Sequence, residues 1–313
     1  MVEPSARAFT TSDEWFDSRG TRCAARVYRP DGDPGARPAV VMAHGFGSPR
    51  ALRLYAYAER FAVAGYVVVV FDYRGFGESE GQPRQVLDIG MQHADWRSAL
   101  RYTRSLEEVD RARVVAWGTS FAGGHVLTIA GQGEPLAAVV AQVPHVSGPA
   151  AVRSVGPRAA LRTVVPALRD TVAARLGREP VHVHSVGLPG ATAMMTSPDA
   201  YPGMMRLIHE SGVAEDAYPR TVAACIALRI GLYSPQRWAR FIDCPVLIQI
   251  AAQDAITPRT VAERAAARIR RATVRVYDGG HFDPYVAPLF DTVLADQLEF
   301  LNAYVPPLPK ENA

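Results

Sequence analysis

The sequence predicts an α/β fold, a mostly parallel central sheet with helices on both faces, interrupted by a helical cap insertion. Short β-branched runs such as residues 39–43 and 66–71 are apolar at nearly every position, not at alternate ones, as strands buried on both faces require. They alternate with stretches of helical periodicity, which implies parallel strands joined by helical crossovers. From Pro144 to about Arg240 that alternation stops.

Residues 52–64 read as the helix between the first two strands, each of which ends in a glycine-containing turn. Residues 88–105 then read as helix, 113–117 as strand, 120–131 as helix and 137–143 as strand. Beyond the interruption, residues 245–251 read as strand, 260–270 as helix, 273–277 as strand and 290–304 as the closing helix. The interruption is far longer than an ordinary connection and is rich in proline, glycine, methionine and aromatic residues, among them Pro149, Tyr201, Pro202, Met204 and Met205. It reads as a cap with helices of its own, lying over the strand ends where open α/β sheets bind ligands. The expected division is a core of residues 1–144 and 241–313 and a cap of residues 145–240. Met194, Met195, Met204 and Met205 either line a pocket or pack the cap onto the core.

At 313 residues, 48% of them hydrophobic and 21% charged, the chain can bury one large core. The formal charge is only +3 and its arginines are scattered, which argues against nucleic acid as a partner. The densest basic group, Arg264, Arg268, Arg270, Arg271 and Arg275, reads as a solvated helix face. Cys23, Cys225 and Cys244 are far apart and form no C-x-x-C pair, so neither a metal site nor a disulfide framework is expected, and a reducing cytoplasm suits them. Residues 1–9, with Glu3, Pro4 and Arg7, lack the apolar core of a secretory leader. The apolar run 67–71 is far short of the roughly 20 residues that span a bilayer, so no membrane association is expected. A homo-oligomer is left open.

One segment carries a chemical signal. Residues 114–124 read as a strand turning sharply into a helix through Gly118-Thr119-Ser120-Phe121-Ala122-Gly123-Gly124. This is the pattern of a nucleophile elbow, G-x-S-x-G, with Ala122 at the second glycine. By itself it fits an ordinary helix-capping serine equally well. Serine at neutral pH needs a base within hydrogen-bond reach and a carboxylate that orients the base. Asp254 follows the strand 245–251 and His281 follows the strand 273–277, in the order serine, acid, histidine. All three then lie beyond carboxyl ends of parallel strands, on one edge of the sheet. Asp254 could instead cap the next helix, and Asp283, two residues after His281, is a rival acid too close in sequence to face it well. His44-Gly45-Phe46-Gly47 directly follows the first strand. An acyl-transfer intermediate needs two N–H donors for its oxyanion, and Phe46 and Phe121 are the candidates; His44 is expected to pack in its loop.

With these residues in view, the chain resembles the α/β-hydrolase superfamily from about Trp15 to Tyr304. Residues 71–79, Phe-Asp-Tyr-Arg-Gly-Phe-Gly-Glu-Ser, look like that family's strand-end loop, in which Asp72 and Arg74 serve the turn, and residues 279–285 look like its histidine loop. The cap and the His-Phe-Asp-Pro-Tyr run are similar to a branch of bacterial and fungal hydrolases that includes esterases and polyketide-pathway enzymes. The resemblance implies hydrolysis of a carboxylic ester through an acyl-enzyme, without metal or organic cofactor, or alternatively acyl transfer or carboxylate elimination. The substrate expected is a small, hydrophobic molecule. A binding module that had lost catalysis would be expected to lack a triad member, and all three are present in order.

Overall fold

The computed structural model of the protein describes residues 8–32 and 35–307. Its first elements form a hairpin, β1 (Phe9–Ser18) with β2 (Thr21–Pro30). The turn residues Arg19 and Gly20 have φ of 54° and 79°, the double positive φ that matches the twist of antiparallel strands. Sequence reasoning did not reach this hairpin, because β1 buries little more than one edge and its run Thr10-Thr11-Ser12-Asp13-Glu14 carries no apolar signal.

The chain continues as β3 (Arg37–Ala43), α1 (Leu54–Val63), β4 (Val67–Phe71), α2 (Ile89–Ser105), β5 (Val109–Thr119), α3 (Phe121–Gly131) and β6 (Ala138–Gln142). Then come α4 (Gly148–Val155), α5 (Pro157–Arg175), β7 (His182–Val186), β8 (Ala193–Met195), α6 (Ala200–Glu210), β9 (Thr221–Ala223) and α7 (Ile226–Arg229). The last elements are β10 (Val246–Ala251), α8 (Arg259–Ala266), β11 (Ala272–Tyr277) and α9 (Leu289–Tyr304). The large sheet runs β1-β2-β4-β3-β5-β6-β10-β11, and every pairing from β4 to β11 is parallel.

Each central strand is buried on both faces. In β4, Val67, Val69 and Phe71 pack with Trp96 and Leu100 of α2 and Val126 of α3, whereas Val68 and Val70 pack with Tyr57 and Phe61 of α1 and Leu301 of α9. This two-sided demand is why the strand reads as an unbroken apolar run, and each such side chain contributes about 1.5–3 kcal/mol. α2 starts at Asp88, whose carboxylate accepts the Met91 N–H at 3.0 Å.

Between β6 and β10 the chain carries, beside its helices, a three-stranded sheet in the order β8-β7-β9 that the sequence reading did not anticipate. Its strands are only three to five residues long, too short for a period to register. α8 is also shorter than expected: buried Ile269 turns the chain inward toward β11. Of the basic group read as one solvated helix face, only Arg264 lies on α8; Arg268, Arg270 and Arg271 are exposed after its end, and Arg275 is a half-buried residue of β11. Cys23, Cys225 and Cys244 are free thiols. Among the described residues, no helix is long and apolar enough to cross a membrane. The stretch 1–9 read for a leader lies outside the described residues except for Ala8 and Phe9.

Candidate active site

β5 passes into α3 through Ser120, whose φ of 54° and ψ of −116° form a backbone conformation that residues with a side chain avoid, at a cost of about 1–3 kcal/mol. Main-chain bonds hold it there: its N–H donates to the Gln142 carbonyl at 2.9 Å and its carbonyl accepts the His145 N–H at 2.8 Å. The turn leaves no room at Gly118, where a methyl group would lie 2.3 Å from the Ala122 carbonyl oxygen. A methyl at Gly45 would lie 2.9 Å from Ser120 Cβ, so the loop after β3 runs directly against the serine. Ala122 is fully buried and its methyl packs into the core, which explains why the usual second glycine is dispensable here.

Ser120 does not cap α3 with its side chain. Its Oγ lies 3.0 Å from His281 Nε2, and His281 Nδ1 lies 2.7 Å from Asp254 Oδ2. A proton on Nδ1, donated to the carboxylate, leaves the Nε2 lone pair facing the hydroxyl. Asp254 does not cap α8, whose N-cap is Pro258 with no side-chain cap bond; its Oδ1 accepts the N–H groups of Ile256 and Thr257 at 2.8 and 2.6 Å, fixing the turn before the helix, while Oδ2 faces the imidazole. Thr257 Oγ donates to Oδ2 at 2.7 Å, a partner that no sequence spacing signalled. Burial alone would raise the Asp254 pKa, but the nearby His281 charge and the hydrogen bonds from His281 and Thr257 outweigh it and hold the carboxyl below its ordinary value. The rival Asp283 faces elsewhere, accepting the Gly280 N–H at 2.6 Å and pairing with Arg206.

Phe121 is the first residue of α3, where a backbone N–H has no acceptor within the helix and the helix dipole is positive. Phe46 packs its ring edge-on against Phe121 at 5.5 Å. Both residues line, with Ser120, a cavity of about 220 Å³ whose other walls include Val152, Val155, Val164, Met194, Met195 and Ile230. Met194 and Met195 line this cavity, Met204 lines a smaller space beside Ser120 and His281, and Met205 packs against the core. His44 sits in its loop with Nδ1 2.9 Å from the Gly45 carbonyl. Asp72 accepts from the Arg50 and Glu78 N–H groups, and Arg74 pairs with buried Asp95, so both serve their turn. Among the described residues, no group of three or more His, Cys, Asp or Glu side chains is placed to hold a metal ion.

Residues 19–168 match the X-Pro dipeptidyl-peptidase (S15) family. The chain is 42% identical over 294 residues to quorum-quenching protein AidA of Acinetobacter baumannii (strain MDR-ZJ06), covering 94% of this chain and 95% of that protein. It is 26% identical to polyketide transferase claH of Penicillium crustosum, over 90% of this chain and 94% of that one. The crystal structure of α/β-hydrolase GrgF from Penicillium sp. sh18 superposes with a TM-score of 0.78 at 20% identity, over 95% and 99% of the two chains. The chain belongs to the α/β-hydrolase superfamily. By class it is a serine hydrolase.

Behind the elbow, this α/β-hydrolase packs three further histidines, His125 and His145 buried and His93 half-buried. His125 Nε2 donates to Gln92 Oε1 at 2.9 Å, its Nδ1 lies 2.7 Å from Tyr233 Oη, and His93 Nε2 lies 3.0 Å from His125 Nδ1. Burial pushes the pKa values of His93 and His145 down to about 4 and that of His125 down as well. In the unfolded hydrolase these rings protonate near 6.5, so below that pH the unfolded state binds more protons and stability falls. The loss reaches ~1.4 kcal/mol per pH unit for each histidine until the folded-state value is passed. The melting temperature is therefore expected to drop by several degrees between about pH 7.5 and about pH 5. A flat profile over that interval would contradict the neutral burial of this cluster.

Proposed function

We propose that this chain cleaves a carboxylic ester, lactone or thioester of a small hydrophobic molecule through an acyl-enzyme on Ser120. In this reading residues 1–144 and 241–313 are the catalytic core and residues 145–240 the cap over it. The observation that carries the proposal is the unbroken chain Asp254–His281–Ser120, at 2.7 and 3.0 Å, ending at an apolar cavity. His281 Nε2 takes the hydroxyl proton as Oγ attacks the substrate carbonyl, and Asp254 stabilises the resulting imidazolium. The oxyanion is held by the Phe46 and Phe121 N–H groups. Collapse of the intermediate breaks the bond to the alcohol or thiol, which receives the proton from His281. Water, deprotonated by the same nitrogen, then releases the acid and restores Ser120. The steps need no metal or organic cofactor, and the three free thiols favour the cytoplasm as the compartment.

The test is exposure to a fluorophosphonate, which reacts with an activated serine, followed by intact-mass and peptide mapping. One adduct on Ser120, absent in His281→Ala, is the expected result. An intact folded protein without that adduct would overturn the acyl-enzyme. A second reading, acyl transfer or carboxylate elimination on a polyketide-like molecule, is favoured by the likeness to a protein named polyketide transferase across 90% of this chain. Products separate the two: free acid plus alcohol or thiol against an acylated acceptor or a new alkene.

A further inference from the structure

We propose that His145 reads the substrate: its Nδ1 accepts a hydrogen bond from a hydroxyl or amide N–H that the substrate carries near its scissile carbonyl. The inference rests on the acyl-enzyme reading for where that carbonyl lies. It starts from the polar groups on the cavity wall besides Ser120, which are Thr163, Thr257 and His145. The two threonine hydroxyls are spent on the protein, Thr163 donating to the Ala160 carbonyl at 2.8 Å and Thr257 to Asp254 at 2.7 Å. His145 is different. Its Nε2 faces the Tyr233 carbonyl at 3.4 Å, and a carbonyl can only accept, so the ring proton sits on Nε2. Nδ1 is then an acceptor with no donor among the described residues, on a ring that lines this cavity and a smaller one beside it toward Pro258.

The ring is also fixed relative to the nucleophile. It stacks on Tyr233 with an interplanar angle of 8° and leans on Phe121 at 5.2 Å, while its main-chain N–H holds the Ser120 carbonyl at 2.8 Å. The Tyr233 hydroxyl is in turn held by His125 at 2.7 Å and His93 at 3.1 Å. Burial pushes the His145 pKa down to about 4, against the Tyr233 carbonyl that would raise it, so the ring is neutral and its lone pair available at neutral pH. A wall that only had to be apolar would be served by phenylalanine, without the cost of desolvating an acceptor. The substrate class that suits this wall is an ester, lactone or thioester with an aliphatic body and one hydrogen-bond donor close to the carbonyl. β-Hydroxyacyl and N-acylamino acyl groups are the simplest examples.

The test compares a β-hydroxyacyl ester with the plain acyl ester of the same chain length and alcohol. The wild-type enzyme is expected to favour the hydroxylated ester about 10-fold in kcat/KM, the scale of one buried neutral hydrogen bond. His145→Phe, which keeps the stack on Tyr233 but removes the acceptor, is expected to bring that ratio to about one, and His145→Gln to keep part of it. A ratio that survives in His145→Phe, or a wild-type enzyme with no preference for either the hydroxyl or an N-acylamino donor, would overturn the proposal. Calorimetric Kd values for the two product acids on Ser120→Ala give the same ratio without catalysis. The reading therefore remains testable if Ser120 fails to label, and the two failures are told apart.

Discussion

Replacing Ser120 by alanine is expected to lower kcat/KM on a cleavable ester by about 10⁴- to 10⁶-fold, with the melting temperature within a degree or two of wild type. Both halves of that expectation come from the elbow. On the acyl-enzyme reading, Oγ is the atom that forms the covalent bond, and among the described residues no other hydroxyl is hydrogen-bonded to His281 Nε2; Thr257 reaches only Nδ1, at 3.5 Å, and is engaged with Asp254. Alanine meets the same backbone strain at φ 54° as serine does, so the fold is neither relieved nor further strained. The main-chain bonds to Gln142 and His145 are untouched. Steady-state kinetics beside a thermal melt checks this. Activity within tenfold of wild type in a folded Ser120→Ala would move the chemistry away from a serine nucleophile, toward elimination with His281 as the base.

Asp254→Asn is expected to cost about 10⁴-fold in kcat, again with little change in stability. The asparagine carbonyl oxygen can keep the N–H groups of Ile256 and Thr257, so the turn before α8 survives. Its amide then faces His281 Nδ1, where it can only donate. The imidazole must accept at Nδ1 and carry its proton on Nε2, the nitrogen 3.0 Å from Ser120 Oγ, which can no longer take a proton. Fluorophosphonate labelling of Ser120 should slow in parallel. Asp254→Ala, which loses the turn as well, should also lower the melting temperature; if Asp254→Asn destabilises equally while catalysis is largely kept, the residue holds a turn and is not an orienting acid.

The central strands were legible because burial on both faces leaves a signature that does not depend on neighbours, as in Val67-Val68-Val69-Val70-Phe71. The hairpin of β1 and β2 was not, since its stability comes from ten cross-strand pairs and a two-residue turn at positive φ, neither of which needs an apolar run. In the small β8-β7-β9 sheet, strands of three residues carry too few positions to show a period.

At the candidate site, residue types and chain order alone singled out Ser120, Asp254 and His281, because the chemistry of an activated serine demands those types and parallel strands deliver their ends to one edge. Only the tertiary structure could decide that Asp254 faces His281 with one oxygen while holding a turn with the other, that Asp283 faces Gly280 and Arg206, and that Thr257 completes the carboxylate's shell. It alone brings His145, Tyr233, His125 and His93 together behind the elbow, from segments as much as 140 residues apart. Local pattern records what each stretch must bury. Which side chains then meet is set by how the strands and their crossovers pack, and that information is not local.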